Sequence, residues 1–421
     1  MKQYNSYKDS GVQWLGEIPK HWNVKRLASA FIENRTLNMN LESTDAYKFN
    51  YGSLVRKDED ITNEDVLEAY RKYTLIKPND ILINGLTLNY YFVSQRVAIS
   101  KNKGIITSAY LAITPREMVN PYYYCYFLKA MDSKKMFHGM GTGIRLTLSF
   151  AELKKQLVLF PPLSEQGPIV TYLDEKTAEI DDLVAQVERE IELLKEYKQA
   201  EIARVVTKGL NPNAPKKPTG ISWIGEMPIH WSKRKIKYTF KERSEKNHPD
   251  EPVLCATQSQ GVIPQAMYDN RVVVVNKGFE NLKFVKVGDF VISLRSFQGG
   301  IEYAYYQGII SAAYTIITPN DNIDVGYARL LMKSHSFIQL LKTCVTGIRE
   351  GQNINYDLLK NKFIPIPPLA EQKEIVDYID HKTTEIDRLM VELTYQVEYL
   401  KEYKQRLIAD VVTGKINVQP E

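Results

Sequence analysis

The chain has 421 residues, 44% hydrophobic and 25% charged, a balance that supplies cores and excludes a disordered or collagen-like polymer. No apolar run approaches the ~18 residues of a membrane span, and the opening residues lack an apolar core, so no secretory leader is expected and the cytoplasm is the expected compartment. The net charge of +5 admits an anionic partner, while three cysteines more than 80 residues apart exclude a disulfide framework or a C-x-x-C metal pair.

In chain order, Ser10 to Trp22 reads SGVQWLGEIPKHW. Ile81-Leu82-Ile83 reads as a strand, followed by a polar and aromatic loop with Asn84, Tyr90 and Tyr91. Ile105-Ile106 and Leu111 to Thr114 read as further strands. Asn120-Pro121 opens a capped helix over Tyr122 to Met131, with proline in its first turn. Ser149 and Glu152 form a capping box for a short helix leading into Val158-Leu159-Phe160. A connector follows Pro161-Pro162, with Leu173, Ile180, Val187 and Leu194 seven apart and Leu183, Ile191 and Val205 in the adjacent stripe. Residues 211–219, with three prolines and two lysines, read as a linker. A second connector repeats the seven-residue spacing at Ile379, Ile386, Leu393, Leu400 and Leu407. That period marks a coiled-coil seam, each connector being a helix of ~40 residues, with Gly209 and Gly414 as helix stops. The most economical partner for each seam is the other.

The chain is written twice. Residues 219–231, TGISWIGEMPIHW, match 10–22 at seven of thirteen positions. Residues 367–389, PPLAEQKEIVDYIDHKTTEIDRL, match 161–183, PPLSEQGPIVTYLDEKTAEIDDL, at 15 of 23. Lys195-Glu196-Tyr197-Lys198-Gln199 recurs at Lys401 to Gln405, Asp80-Ile81-Leu82-Ile83 answers Asp289 to Ile292, and Thr142-Gly143-Ile144-Arg145 answers Thr346-Gly347-Ile348-Arg349. Between these anchors the halves diverge. One mixed α/β domain plus a helical connector has been duplicated.

Catalytic patterns do not survive inspection. Asn120-Pro121-Tyr122-Tyr123 lacks the second proline of an adenine-methyltransferase loop and reads as a helix start. Gly139, Gly141 and Gly143 precede no G-K-[ST], and His21 and His230 recur with their flanking Trp and Pro as structural caps. Scattered histidines give a metal site no support. What recurs suits nucleic acid: a loop with hydroxyl, glycine and guanidinium at Thr142, Gly143 and Arg145, and again at Thr346, Gly347 and Arg349. Arg295, Ser296 and Gln298 stand where the first half has Asn84 and the Tyr90-Tyr91 loop, matched in place and unlike in content. Residues 233–246 carry seven Lys/Arg against two Glu, a phosphate track or a solvated helix face.

The G-x-x-W-x-G-E-x-P-x-H-W and P-P-L-[SA]-E-Q-x-x-I-V-x-Y-[LI]-D blocks and the doubled helix resemble the specificity subunits of Type I restriction-modification systems, over essentially the whole chain. The resemblance implies two globular target-recognition domains (1–160 and, with the linker, 210–366) separated by two long antiparallel coiled-coil helices (161–209 and 367–421). It implies a non-catalytic chain that reads a bipartite, asymmetric sequence in double-stranded DNA, two modification subunits carrying S-adenosylmethionine, and motor-nuclease subunits using ATP and Mg. No cofactor is expected on this chain. The rival expectations are a stand-alone methyltransferase or nuclease with a cryptic site, and a coiled-coil adaptor without sequence preference. One departure is Gly167-Pro168 in place of Lys373-Glu374; proline inside a helix removes a hydrogen bond, so the first helix is expected to start later or bend.

Overall fold

A computed structural model describes residues 2–88, 95–141, 146–268, 278–347 and 353–419. The fold is mixed α/β with two long helices, Leu163–Lys208 and Leu369–Val412. The chain divides into two compact units, Met1–Val187 with Tyr395–Glu421, and Glu188–Thr394, so the division falls inside both long helices.

Each unit contains the same four-stranded antiparallel sheet. In the first unit the order is Phe31–Glu33, Leu111–Pro115, Ile81–Ile83, Val97–Ile99; in the second it is Phe240–Arg243, Thr315–Pro319, Phe290–Ile292, Glu302–Tyr303. Ile81, Leu82 and Ile83 are buried together, as are their counterparts Phe290, Val291 and Ile292, because the central strand is covered on both faces. The buried aspartates Asp80 and Asp289 fold the turn before that strand. Asp80 accepts from Lys77 N at 3.1 Å and Thr114 Oγ1 at 2.7 Å, and Asp289 from Lys286 N at 2.6 Å and Thr318 Oγ1 at 2.8 Å. The remaining strands differ. In the first unit, Ser53–Arg56, Ala46–Asn50, Gly104–Ile106 and Thr74–Ile76 join in a second sheet, whereas the second unit has separate pairs, Leu254–Thr257 with Gly261–Pro264 and Lys283–Val285 with Gly308–Ile310.

The repeated anchor blocks are explained by contacts within each unit. Glu165 accepts from the Trp22 indole at 3.0 Å and meets His21 Nε2 at 2.6 Å; Glu371 does the same for Trp231 at 2.9 Å and His230 at 2.8 Å. The next residue, Gln166, accepts from Asn120 N at 2.8 Å and donates to Pro161 O at 2.9 Å, while Gln372 accepts from Asp324 N and donates to Pro367 O. These bonds fasten the first turn of each long helix to the globular part and cap the helix starting at Pro121 or Val325. Fully buried indoles need such partners, since an orphaned N–H costs about 1–3 kcal/mol. Tyr123 and Tyr327 close the far side: their hydroxyls donate to Val412 O and Val206 O, at the last turn of the other long helix.

On the long helices, Leu173, Ile180, Val187, Ile379, Ile386, Leu393 and Leu407 are buried, and Leu194 and Leu400 half-buried. Thr177, Val184 and Val397 interleave with them, completing steps of three and four residues. Leu183 is exposed, contrary to its expected place in the stripe: Val184, one step on, is in phase with Ile180 and Val187. The helix segments run antiparallel in both units. Lys404 binds Asp181 at 2.6 Å in the first unit, while in the second Lys198 binds Asp387 at 2.6 Å and Glu201 accepts from Tyr378.

The first long helix does not start late. It begins at Leu163 with Pro168 in its second turn. The carbonyl left without a donor is that of Ser164, an exposed residue, so water can replace the missing bond. The linker is shorter than expected, because Lys216–Pro218 pairs with Glu226–Pro228 just as Tyr7–Asp9 pairs with Glu17–Pro19.

Candidate nucleic-acid interface

In the first unit the loop after Ile81–Ile83 is held from below. Arg96, 4% exposed, donates through Nη1 to Asn84 O at 3.0 Å and Leu86 O at 2.9 Å, and through Nη2 to Thr87 O at 3.5 Å. The Arg96 backbone N–H in turn donates to Asp132 on the Pro121–Ser133 helix at 2.8 Å. A buried guanidinium bound to several carbonyls makes a rigid platform, since its planar fork fixes their relative positions. The Asn84 side chain accepts from Leu86 N at 3.2 Å, so it shapes the turn. Leu148 N donates to Gly85 O at 2.9 Å and Leu88 N to Leu146 O at 3.3 Å. These bonds join the bases of two loops that are about 60 residues apart in sequence. Tyr90 and Tyr91 belong to one loop and Thr142, Gly143 and Arg145 to the other; all five lie outside the described residues.

The second unit brings its candidates together differently. Arg295 is exposed and precedes a single helical turn, Ser296–Gly299, in which Gln298 is also exposed. Ser296 is turned inward: it is 2% exposed and its Oγ accepts from Ser293 N at 2.9 Å. This turn packs against the Asn353–Ile354 strand, which pairs with Val345–Thr346. Thr346 and Gly347 are exposed at the hairpin end, where the Thr346 hydroxyl reaches Asn353 Oδ1 at 3.3 Å; Arg349 lies outside the described residues.

The basic run 233–246 is no helix face. It comprises the Ser232–Lys235 strand, one helical turn and the Phe240–Arg243 strand. Several of its cations are used internally: Lys233 donates to Thr219 O, Lys233 and Lys235 lie 5.5 Å from the Phe363 ring centre, and Arg243 pairs with Asp289. Burial pushes the Asp289 carboxyl upward despite that guanidinium.

Sequence reasoning missed Arg96 and Asp132 in the first unit and Lys333 and Glu302 in the second. Lys333 donates to Glu302 at 2.7 Å, Gly299 O at 2.9 Å and Gln258 O at 3.0 Å. A single charge meeting backbone carbonyls leaves no periodic trace in sequence. Among the described residues, no group of His, Cys, Asp or Glu is arranged to hold a metal, and no helix is long and apolar enough to cross a membrane.

The family model for the Type I restriction modification DNA specificity domain matches twice, over residues 19–193 and 196–399. A protein of Methanocaldococcus jannaschii, put forward as the specificity subunit of the type I restriction enzyme MjaX, is 26% identical over 96% of either chain. Among solved structures, a chain from work on complex assembly and conformational transition of the type I R-M system superposes with a TM-score of 0.67 at 16% identity, covering 95% of this chain and 99% of that one. The HsdS subunit from Thermoanaerobacter tengcongensis gives 0.54 at 17% identity, covering 95% and 98%.

Proposed function

The chain belongs to the Type I restriction modification DNA specificity family, as the non-catalytic specificity subunit of such a system, and from this we propose that each half reads one part of an asymmetric, bipartite DNA target. In this reading the loops at 84–91 and 142–145 contact one half-site, and Arg295, Gln298 and the 346–349 loop the other. Arg145 and Arg349 supply guanidinium contacts to phosphate or guanine. The long helices set the gap and dock two modification subunits, which bind S-adenosylmethionine; ATP and Mg serve the motor-nuclease subunits. The two target-recognition domains are taken as residues 1–160 and 210–366, with helical spacers at 161–209 and 367–421.

The observation that supports this most is the repetition of one sheet with different loop chemistry after the same strand, Ile81–Ile83 and Phe290–Ile292. The test is to express the chain with its modification subunits in a host that lacks adenine methylation and to map the methylated sites. One asymmetric motif interrupted by a fixed unspecified gap is expected. A single contiguous motif, or methylation without preference, would count against two independent half-site contacts.

A further inference from the structure

In the first unit Ala46–Asn50 and Ser53–Arg56 form a hairpin closed by Tyr51 and Gly52. Both closing residues have positive φ, +45° and +76°, as a tight type I′ turn requires. Glycine takes that conformation freely and asparagine tolerates it, whereas for a bulky residue it is a strained outlier. Of the non-glycine residues with positive φ, Tyr51 alone among the described residues is both bulky and exposed. Leu41, Thr87, Lys135 and Leu146 are half-buried, and Asn79 and Asn247 suit the conformation. Tyr51 is 81% exposed, and its ring and hydroxyl have no hydrogen-bond or ring partner among the described residues. A strained conformation kept for an exposed aromatic side chain points to a partner outside the chain.

The hairpin sits on the strand that bears the candidate loop. Tyr47, Phe49 and Leu54 pack with Leu82, Ile106 and Ala112, and Phe49 meets Tyr110 edge-on at 4.9 Å. At the tip, a Cβ added to Gly52 would stand 3.6 Å from Gln95 Cβ. Gln95 adjoins Arg96, whose guanidinium holds Asn84 O and Leu86 O. Tyr51 is thus one residue from a contact with the stem of the 84–91 loop, and tip and loop are fixed to the same strand.

The second unit places a hairpin in the same way. Leu254–Thr257 and Gly261–Pro264 rest on Val291, the counterpart of Leu82, through Leu254 and Val262. The tip, Gln258-Ser259-Gln260, is exposed and reaches the turn that follows Arg295: a Cβ on Gly299 would meet Gln258 Cγ at 2.9 Å. A hairpin tip beside the loop after the central strand is therefore common to both units. Its residues are not, being an aromatic ring in one unit and two amides in the other. One frame with different tips is what two base-reading elements need, since an apolar ring suits a thymine methyl and an amide forks onto adenine.

We propose that the hairpin tip belongs to the base-reading surface of the first unit, with the turn holding the Tyr51 ring against the edge of one base pair in that unit's half-site. The proposal rests on the reading of the 84–91 loop as a DNA contact. A duplex met by that loop lies beside the tip. A tyrosine ring gives rigid contact area there at low entropic cost, because only two torsions must be fixed.

The test uses the full chain assembled with its modification subunits. Y51N is the informative variant: Asn-Gly is a favoured pair in a type I′ turn, so the thermal midpoint should be unchanged or raised. The methylated motif should nevertheless relax at one position of the first half-site, with the second half-site unchanged. Affinity for the target duplex, followed by fluorescence anisotropy, should fall about 10-fold, while affinity for an unrelated duplex stays the same. Y51F keeps the ring and should retain both motif and affinity. An unchanged motif with unchanged target affinity in Y51N overturns the proposal. Equal weakening on both duplexes with an intact motif also overturns it, as a contact to the DNA backbone, and so does loss of the modification subunits, which would make the tip a protein-docking element. The half-site reading fails separately: a contiguous wild-type motif would overturn that reading, while relaxation of the same motif in Y51N would still support the tip as a base contact.

Discussion

The two units solve one structural problem with a cation drawn from different places. Both must fix the loop that follows the central strand against the helix behind it. By register, Ala98 opposite Leu82 corresponds to Glu302 opposite Val291, which puts Gly300 in the place of Arg96. In the first unit the arginine reaches the loop carbonyls itself. In the second, Gly300 has φ +90° and an added Cβ would stand 2.5 Å from Met332 O, so the helix backbone closes in and Lys333 reaches Gly299 O in that loop, Gln258 O in the turn after Leu254–Thr257, and Glu302. A duplicated sheet thus tolerates rewiring of the cation beside it, which bonds different backbone carbonyls in the two units. The lysine at this helix position is used differently in the two units: Lys129 lies over the Tyr126 ring, while the partly exposed Lys333 bonds Glu302, Gly299 O and Gln258 O.

The largest effects are expected where this wiring is cut. K333M leaves Glu302 buried without its cation and should destabilise by about 3–5 kcal/mol near neutral pH. Burial already pushes the Glu302 carboxyl upward from its ordinary 4.5, with Lys333 opposing. A buried acid with a raised folded pKa contributes most when protonated, and that stability is lost as pH rises through the folded value. The K333M deficit should therefore shrink as pH falls toward about 4.5, measured by denaturant unfolding across pH. R96M leaves the loop carbonyls unpaired and takes a cation from beside the buried Asp132 carboxyl, which burial already pushes upward, and should cost at least about 1–3 kcal/mol. Its signature is functional: methylation mapping should show the first half-site relaxed and the second unchanged. Relaxation of both would mean that the loops do not act separately.

The helix-terminating glycines give a second contrast. Gly209 and Gly414 both have positive φ, +78° and +75°. A Cβ at Gly414 would stand 2.5 Å from Pro19 Cδ, while at Gly209 the nearest atoms are at 3.3 Å. G414A should cost about 2–4 kcal/mol, backbone strain plus a clash with a rigid ring, and G209A about 1–2 kcal/mol. Thermal unfolding of the full chain reads both, and equal losses would mean that Pro19 moves aside freely.

A gentler change tests the helices as a ruler. Seven residues added opposite one another in both long helices keep the seam in phase and extend each by ~10 Å. With DNA rising ~3.4 Å per pair, the gap between half-sites should lengthen by about three pairs with both half-sites retained. Those pairs also rotate the duplex by roughly a third of a turn, so affinity should fall. A methylated motif with its original gap would separate spacing from helix length.

Much of this architecture was legible because repetition and period survive any change of surface chemistry. The seam residues, the Asn120 cap, the central strand and the helix stops were read from residue type and spacing. Leu183 was misassigned because seven-residue counting does not distinguish the two phases that a 3.6-residue helix brings near the seam. The short strands at 7–9 and 216–218 were invisible, since Tyr-Lys-Asp and Lys-Lys-Pro are too short and too polar to carry an alternation. Arg96 and Lys333 were missed for a different reason: their partners are mainly backbone carbonyls, which every sequence has, and Glu302 is marked only by its contact with Lys333. The anchors were recognised as repeats, but only the contacts of Glu165 and Glu371 explain why histidine, tryptophan and glutamate recur as a set.

The smallest effect concerns the repeated Lys-Glu-Tyr-Lys-Gln stretch, whose second lysine makes the same cross-helix pair in each unit. Lys404 meets Asp181 with the aspartate 61% exposed, and Lys198 meets Asp387 with 52% exposed. Pairs this open are largely solvated and screened by salt. D181N and D387N should each cost about 0.2–1 kcal/mol, by similar amounts, and less at high salt. Their recurrence then reflects alignment of two antiparallel helix segments more than strength, because a lysine held to one aspartate disfavours sliding by a turn. A loss above about 2 kcal/mol in only one variant, by denaturant unfolding at low salt, would show that the two units do not use the motif alike.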